Sequence, residues 1–291
     1  MKDKKQGLNR VKIQEYFWGY LFIAPICLGF IIFLVIPLIY SINFSFTDFN
    51  VISNERNYIG FKNFVTLFND KSFRKAVYNT FYLMMGIPIG MTLGFLLASA
   101  LNSKIRFKRA YMVLYYLPAV SSALAVGIVW KWFFNADYGV INQIIGKKIY
   151  WLVDPRIVKI SLIMKGLWGG LGGTMLLYLA AMQNLSPTYF EVADLEGANF
   201  FQKTFKITIP LVAPTSFYLF VTGIIGGMSA FTDNYIIVAS DSSKTIVFYL
   251  WEKMKIGEYG LVSAGAILLA SVVFMLTLIQ FRFINRRIYG A

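Results

Sequence analysis

The constraint that limits this chain most is the length of its apolar runs. Several uninterrupted blocks reach the ~18 residues that a helix needs to cross a bilayer. Hydrophobic residues make up 57% of the 291 and charged residues only 14%, which is too apolar for a soluble globule. Reading the blocks at ~20 residues per span predicts an all-α, polytopic membrane protein of about six transmembrane helices, near 17–40, 78–101, 111–134, 158–182, 211–238 and 262–284. Residues 17–284 then form one membrane domain between a basic N-terminal segment, 1–16, and a C-terminal segment, 285–291. The first block is too long for a signal-peptide core and lacks a small-residue cleavage site, so it reads as a retained helix. Pro25, Pro37, Pro88 and Pro118 fall inside spans and predict local kinks.

Composition also removes function classes. The chain has no histidine and one cysteine, Cys27, which excludes disulfides, Cys/His zinc sites and Cys/His or Ser/His nucleophile pairs. The formal charge of +14 is assigned to membrane orientation and anionic lipid headgroups, with no nucleic-acid partner. On one side of the spans lie Lys2, Lys4, Lys5, Arg10, Lys12, Lys104, Arg106, Lys108, Arg109, Lys203, Lys206, Arg282, Arg286 and Arg287 in short segments. The longer opposite segments hold fewer basic residues and most of the acids, among them Glu55, Asp70, Asp137, Asp154 and Asp241. The positive-inside rule therefore places both termini in the cytoplasm, although Lys71, Arg74 and Lys75 crowd the outer end of the second span. Small residues at spacing four, Gly86/Gly90/Gly94, Gly169/Gly173 and Gly223/Gly227, predict close helix packing.

The stretch 184–210 is more elaborate than a connection requires. Ser186 before Pro187 predicts a helix start. Phe190, Ala193, Gly197, Phe201 and Phe205 fall on one face, with Glu191, Asp194 and Glu196 on an acidic side. A helix over 187–199, weakened or bent at Gly197, reads as a docking element at the cytoplasmic face, since helices that lie on lipid are usually basic.

Glu191-Val-Ala193-Asp194-Leu-Glu196-Gly197-Ala198, followed by Ile207-Thr-Ile-Pro210-Leu211, resembles the EAA loop of ATP-binding-cassette importer permeases. Val192 and Glu196 depart slightly from that motif. Tyr58-Ile-Gly-Phe-Lys-Asn-Phe64, Asn79-Thr80, Tyr115-Tyr-Leu-Pro118, Trp130-Lys-Trp132, Asp137-Tyr-Gly139, Asn142 and Leu278-Ile-Gln-Phe281 extend the resemblance, over roughly residues 15–288, to the carbohydrate-uptake branch with its maltose and glycerol-phosphate permeases. Val238-Ala-Ser-Asp-Ser-Ser-Lys244-Thr departs from the Thr-x-Gly-Gly-Pro-like turn common in that branch.

The resemblance implies a permease subunit in a bacterial cell membrane, paired with a second homologous permease, two ATPase subunits and an extracytoplasmic solute-binding protein. Glu191, Ala193, Asp194, Glu196, Gly197 and Ala198 would form the coupling helix that meets an ATPase. ATP and Mg would belong to that partner, because this chain has no Gly-x4-Gly-Lys-Ser/Thr and needs no cofactor of its own.

For the substrate pathway, charges within spans are the first candidates. Lys131 lies near a span end and can snorkel, whereas Lys165 and Asp233 lie deeper and read as pathway groups or as a structural ion pair. The resemblance places the central sugar site after Trp168, along Gly169, Gly170 and Gly173, and along Gly223, Gly226, Gly227, Ser229 and Ala230. So many glycines predict a roomy cavity suited to an oligosaccharide. Trp168, Phe231 and Tyr235 would stack on sugar rings, with Ser229 and Asn234 as hydrogen-bonding groups. Two alternatives stay open: a phosphorylated or acidic solute, favoured by Lys165 and Lys131, and an ATP-independent carrier, which the loop helix argues against.

Overall fold

In the computed structural model the backbone is described for residues 2–52, 56–103, 105–238 and 240–288, and side chains for 15–52, 56–103, 105–238 and 240–282. The side chains of Lys2, Lys4, Lys5, Arg10, Lys12, Glu55, Lys104, Arg286 and Arg287 lie outside the described residues, as do those of the C-terminal segment 285–291. The described chain is helical, and its one β-bridge joins Thr47 to Tyr58. It divides into two compact units, residues 1–65 with 253–267 and residues 66–252 with 268–291.

In the first unit α1 (Lys2–Phe30) runs through a π-helical turn, Ile31–Val35, into α2 (Ile36–Ser45). Glu15–Ser45 is long and apolar enough to cross a membrane. Pro25 does not interrupt it. The π-turn lies just ahead of Pro37, which has no N–H to offer the helical ladder. The chain that follows α2 is pinned by Asn63, whose buried amide donates to the carbonyls of Ser45 (2.9 Å) and Thr47 (2.8 Å).

The second unit carries the next membrane helices, and the last helix of the chain is divided between the two units. After α3 (Lys62–Asn69), α4 (Lys71–Met84) and α5 (Gly86–Asn102) form one apolar stretch, Lys71–Asn102. It begins early because the Asp70 carboxylate caps the Ser72 (2.6 Å) and Phe73 (3.3 Å) N–H groups. The α4/α5 break at Met85 lies one turn before Pro88, where a proline ring crowds the preceding turn.

Two expected spans are not single straight helices. The block expected at 111–134 is α6 (Lys108–Val120) and α7 (Ala123–Phe133), bent by 98° at Ser121–Ser122. Pro118 three residues upstream removes a ladder hydrogen bond. The short α8 (Val140–Ile145) follows, and then α9 (Val158–Gln183), which matches its expected span closely. Past α10 (Thr188–Leu195), the block expected at 211–238 begins earlier and ends earlier. α11 (Phe200–Lys203), a π-turn (Thr204–Thr208) and α12 (Ile209–Leu211) lead to α13 (Ala213–Met228), with a 62° bend at Val212 beside Pro214. Residues 229–238 leave that helix and form the short α14 (Thr232–Ile236). After α15 (Ile246–Lys255), α16 (Tyr259–Ile288) extends the last span at both ends. Among the described residues four helices are therefore long and apolar enough to span, and up to six if each bent pair counts as one.

α9 is the axis of the second unit, in contact with α4, α5, α6 and α13. Ala98, Leu101, Met175, Tyr178, Leu179, Met182 and Val212 form one core. Trp130, Phe134, Val158, Leu162, Ile237 and Val238 form another. Glycine allows the approach at defined points. A Cβ on Gly172 would fall 2.2 Å from the Tyr115 carbonyl oxygen, and one on Gly94 would fall 2.5 Å from the Thr174 side chain. Gly169 and Gly173 have no neighbour within 4 Å of such a Cβ, so their spacing is not a packing motif within this chain.

This separation yields a contrast. Gly172→Ala, which presses on backbone, should lower the melting temperature of the detergent-solubilised protein by an overpacking cost of about 1–3 kcal/mol. Gly173→Ala should leave it unchanged or slightly raise it, as helix propensity dictates. Equal melting shifts would contradict the packing assignment.

Candidate functional site

Two regions of the second unit carry the sequence-derived candidates. The first is a cavity of about 490 Å³ between α4/α5, α9 and the α13–α14 region. Its walls are largely apolar, with Leu83, Met84, Ile87, Met91, Leu162, Ile163, Leu167, Leu171 and Leu219. Glycines line it on three helices, and they divide by role. Gly86, Gly90, Gly223 and Gly227 sit against side chains, the last two with a built Cβ only 2.8 Å from Ile87 and Met84 respectively. Gly166, Gly170 and Gly226 have nothing within 4 Å of a built Cβ. These three are where absent side chains leave volume.

Of the candidates, Gly170, Gly223, Gly226, Gly227, Ala230, Asp233 and Asn234 line the cavity. Trp168, Gly169, Gly173, Ser229, Phe231 and Tyr235 are not among its lining residues. Trp168 meets Trp130 edge to face at 5.7 Å. Phe231 stacks on Tyr235 at 5.4 Å, and both pack on Trp251. Those rings are therefore engaged with one another. Sequence reasoning overlooks Gly166 because it precedes Trp168; its i, i+4 relation to Gly170 is the signal that points to it.

Lys165 and Asp233 meet. The ammonium nitrogen lies 2.5 Å from Asp233 Oδ1, with side-chain exposures of 12% and 32%. Asp233 lines the cavity and Lys165 does not. Lys131 is exposed in the last turn of α7, as snorkelling requires.

Asn234, which lines the cavity, also holds neighbouring backbone. It is buried, and its amide donates to the Ser243 carbonyl (2.7 Å) and hydroxyl oxygen (3.3 Å). The Asn79 amide donates to the carbonyls of Asp241 (3.2 Å) and Lys244 (3.1 Å), and Thr80 Oγ1 accepts the Ile246 N–H at 3.1 Å. Thr245 Oγ1 donates to the Ala230 carbonyl at 2.6 Å. The segment that departs from the family's turn is thereby fastened at both ends. Lys244 reaches Asp241 and Glu252, each at 2.6 Å, and its hydrogen bond holds the Asp241 carboxyl below the ordinary carboxylate range.

The second region is the loop 184–210. Here α10 starts one residue later than expected, with Pro187 at the N-cap position and the Ser186 hydroxyl accepting the Thr188 N–H at 3.4 Å. It stops well before 199. Gly197 has φ +73°, and the Gly197 and Ala198 N–H groups donate back to the carbonyls of Asp194 (3.0 Å) and Ala193 (2.9 Å), which is a Schellman closure. The chain then restarts in α11 through a reciprocal Asn199/Gln202 capping box. Phe201 and Phe205 therefore do not continue the face of Phe190 and Ala193. The helix expected over 187–199 is two short elements, because a left-handed residue cannot continue a right-handed helix.

Ala193 is the one of its candidate residues that is buried. Glu191 lies exposed in the first turn, where the helix dipole favours a carboxylate. Asp194 pairs with Lys203, which ties α10 to α11. Leu195 is 89% exposed, and Phe200, Phe201 and Phe205 are exposed as well. A compact, braced helix with apolar surface turned outward is suited to a protein contact. Gly197→Ala should cost about 1 kcal/mol of stability, and Gly197→Asn less, because Asn tolerates the left-handed conformation better. Thermal unfolding of the pair would check the order.

The family described as "Binding-protein-dependent transport system inner membrane component" matches residues 90–289. The chain is 33% identical over 278 residues to the "Probable ABC transporter permease protein YesP" of Bacillus subtilis (strain 168), covering 91% of this chain and 89% of that protein. It is 27% identical over 272 residues to the "Arabinooligosaccharides transport system permease protein AraP" of Halalkalibacterium halodurans, covering 90% and 85%. Among solved structures, a chain of a bacterial ABC transporter involved in the import of the acidic polysaccharide alginate superposes with a TM-score of 0.85 at 25% identity, over 95% of this chain and 98% of that one.

Proposed function

This chain belongs to the family of binding-protein-dependent transport system inner membrane components, and we propose that it is the permease subunit through which an ABC importer passes an oligosaccharide. The observation that carries this reading is the glycine-walled cavity. At Gly166, Gly170 and Gly226 side chains are missing where nothing else fills the space. The names of relatives that handle oligosaccharides and a polysaccharide support the same substrate class.

The multi-pass chain would work with a solute-binding protein on the outside, with both termini in the cytoplasm. A second permease would complete the passage, and two ATPases holding ATP and Mg would drive it. The exposed α10, braced by the Asp194–Lys203 pair and closed by Gly197, is the element that would seat in an ATPase. Glu191 would accept hydrogen bonds from that partner.

The test is uptake by the assembled transporter in proteoliposomes. Gly227→Leu is a poor probe of cavity size, since its Cβ already meets Met84. Gly226→Leu adds volume with no such clash. It should lower transport of long saccharides at least about tenfold while sparing short ones, as lost pocket volume implies. A uniform loss across lengths would argue against the cavity as the passage. Glu191→Ala should leave the chain inserted while reducing ATPase association or substrate-stimulated hydrolysis, and normal coupling would remove that residue from the contact.

A further inference from the structure

The Lys165–Asp233 pair is placed to select solutes by charge. Asp233 is the one charged residue among the described residues that line the cavity. Its carboxylate is 32% exposed, whereas Lys165 is 12% exposed, bonded to Asp233 at 2.5 Å and absent from the lining. The pair is neutral as a whole, yet the cavity meets its negative end. From this geometry we propose that Asp233 makes the passage selective for uncharged polyhydroxylated solutes over anionic ones, with Lys165 positioning that carboxylate and balancing its charge. The proposal rests on the saccharide reading and deepens it.

The physical argument concerns what a solute must exchange for its hydration. A sugar hydroxyl donates a hydrogen bond to an ionised carboxylate, a charge-assisted contact stronger than a neutral one. The charged group of a phosphorylated sugar or uronate offers only acceptors there and meets a like charge among apolar walls, where screening is weak. Pairing the charge of an anion would require a cation in the lining. Lys165 is the nearest in sequence to the cavity's glycines, and its ammonium is already committed. The positive charge that favours an acidic solute in the sequence alone is thus bonded to Asp233 and is not among the lining residues of the cavity. The fold shared with the importer of acidic alginate does not by itself carry that importer's charge preference.

The experiment is equilibrium dialysis of two radiolabelled pentasaccharides, one neutral and one containing uronate, against the purified assembly of permeases and ATPases without its solute-binding protein. Wild type should bind the neutral sugar at least about tenfold more tightly, which is the scale of a like-charge penalty. Exchanging the pair, Lys165→Asp with Asp233→Lys, keeps the ion pair and turns its positive end to the cavity. Preference should then fall by about tenfold or reverse. Lys165→Met with Asp233→Leu provides a second readout if the exchange does not fold, since apolar replacement of a paired charge is generally tolerated. It should bring the two affinities to within about threefold. Unchanged preference for the neutral sugar in a folded variant overturns the proposal and leaves the saccharide reading intact. Equal binding of both sugars by wild type does the same. Wild type that binds neither sugar overturns the saccharide reading, and this proposal with it.

Discussion

Close approach of α9 to its neighbours sets the geometry of the second unit. In a bilayer, lipid tails are as apolar as leucine, so helices gain little from leaving lipid and hold together through contact at short range. Gly172 sits where any side chain would strike the Tyr115 carbonyl, and Gly94 sits where one would strike Thr174. These contacts position α5 and α6 against α9. With them in place, the stretch from Gly166 to Thr174 faces α13 across open space. The cavity is a consequence of tight packing on one side of a helix and missing side chains on another.

The polar residues that carry the family resemblance serve largely to hold irregular backbone. Asn79 and Asn142, which belong to that resemblance, are buried, and so is Asn234, which does not. Asn79 and Asn234 fasten the segment from Asp241 to Lys244, while Asn142 donates to the carbonyls of Ala136 and Ile149 and accepts the Trp151 indole N–H. A buried carbonyl outside a helix must find a donor, and an asparagine amide supplies two from one side chain. Membrane helices can thereby be interrupted without leaving backbone groups stranded. Among the described residues one buried side-chain polar atom, Gln280 Oε1, lacks a partner.

Much of the architecture is legible in the order of the residues. Run length places the span of α9 within a residue at each end, because an uninterrupted apolar helix has to match the membrane. The loop 184–210 stands out through its acidic helix start and Gly197, both of which have local physical causes. Hydropathy does not show the 98° and 62° bends. Apolarity continues across a break as readily as along a straight helix, and proline marks where a bend is possible without giving its size. Pro25 and Pro118 illustrate this, the first leaving its helix whole and the second standing just before the sharpest break.

That this chain is helical, membrane-spanning and equipped with an elaborate helical loop between its fourth and fifth spans follows from composition, periodicity and nearest-neighbour chemistry along the chain. Which glycines make contacts and which make space depended on packing, since Gly226 and Gly227 are chemically identical and differ in what lies opposite. Packing also brought Lys165 to Asp233 across 68 residues of chain, and put the carboxylate rather than the ammonium at the border of the cavity. Charge in a sequence has sign and position along the chain. Its direction relative to a passage exists once the helices have packed.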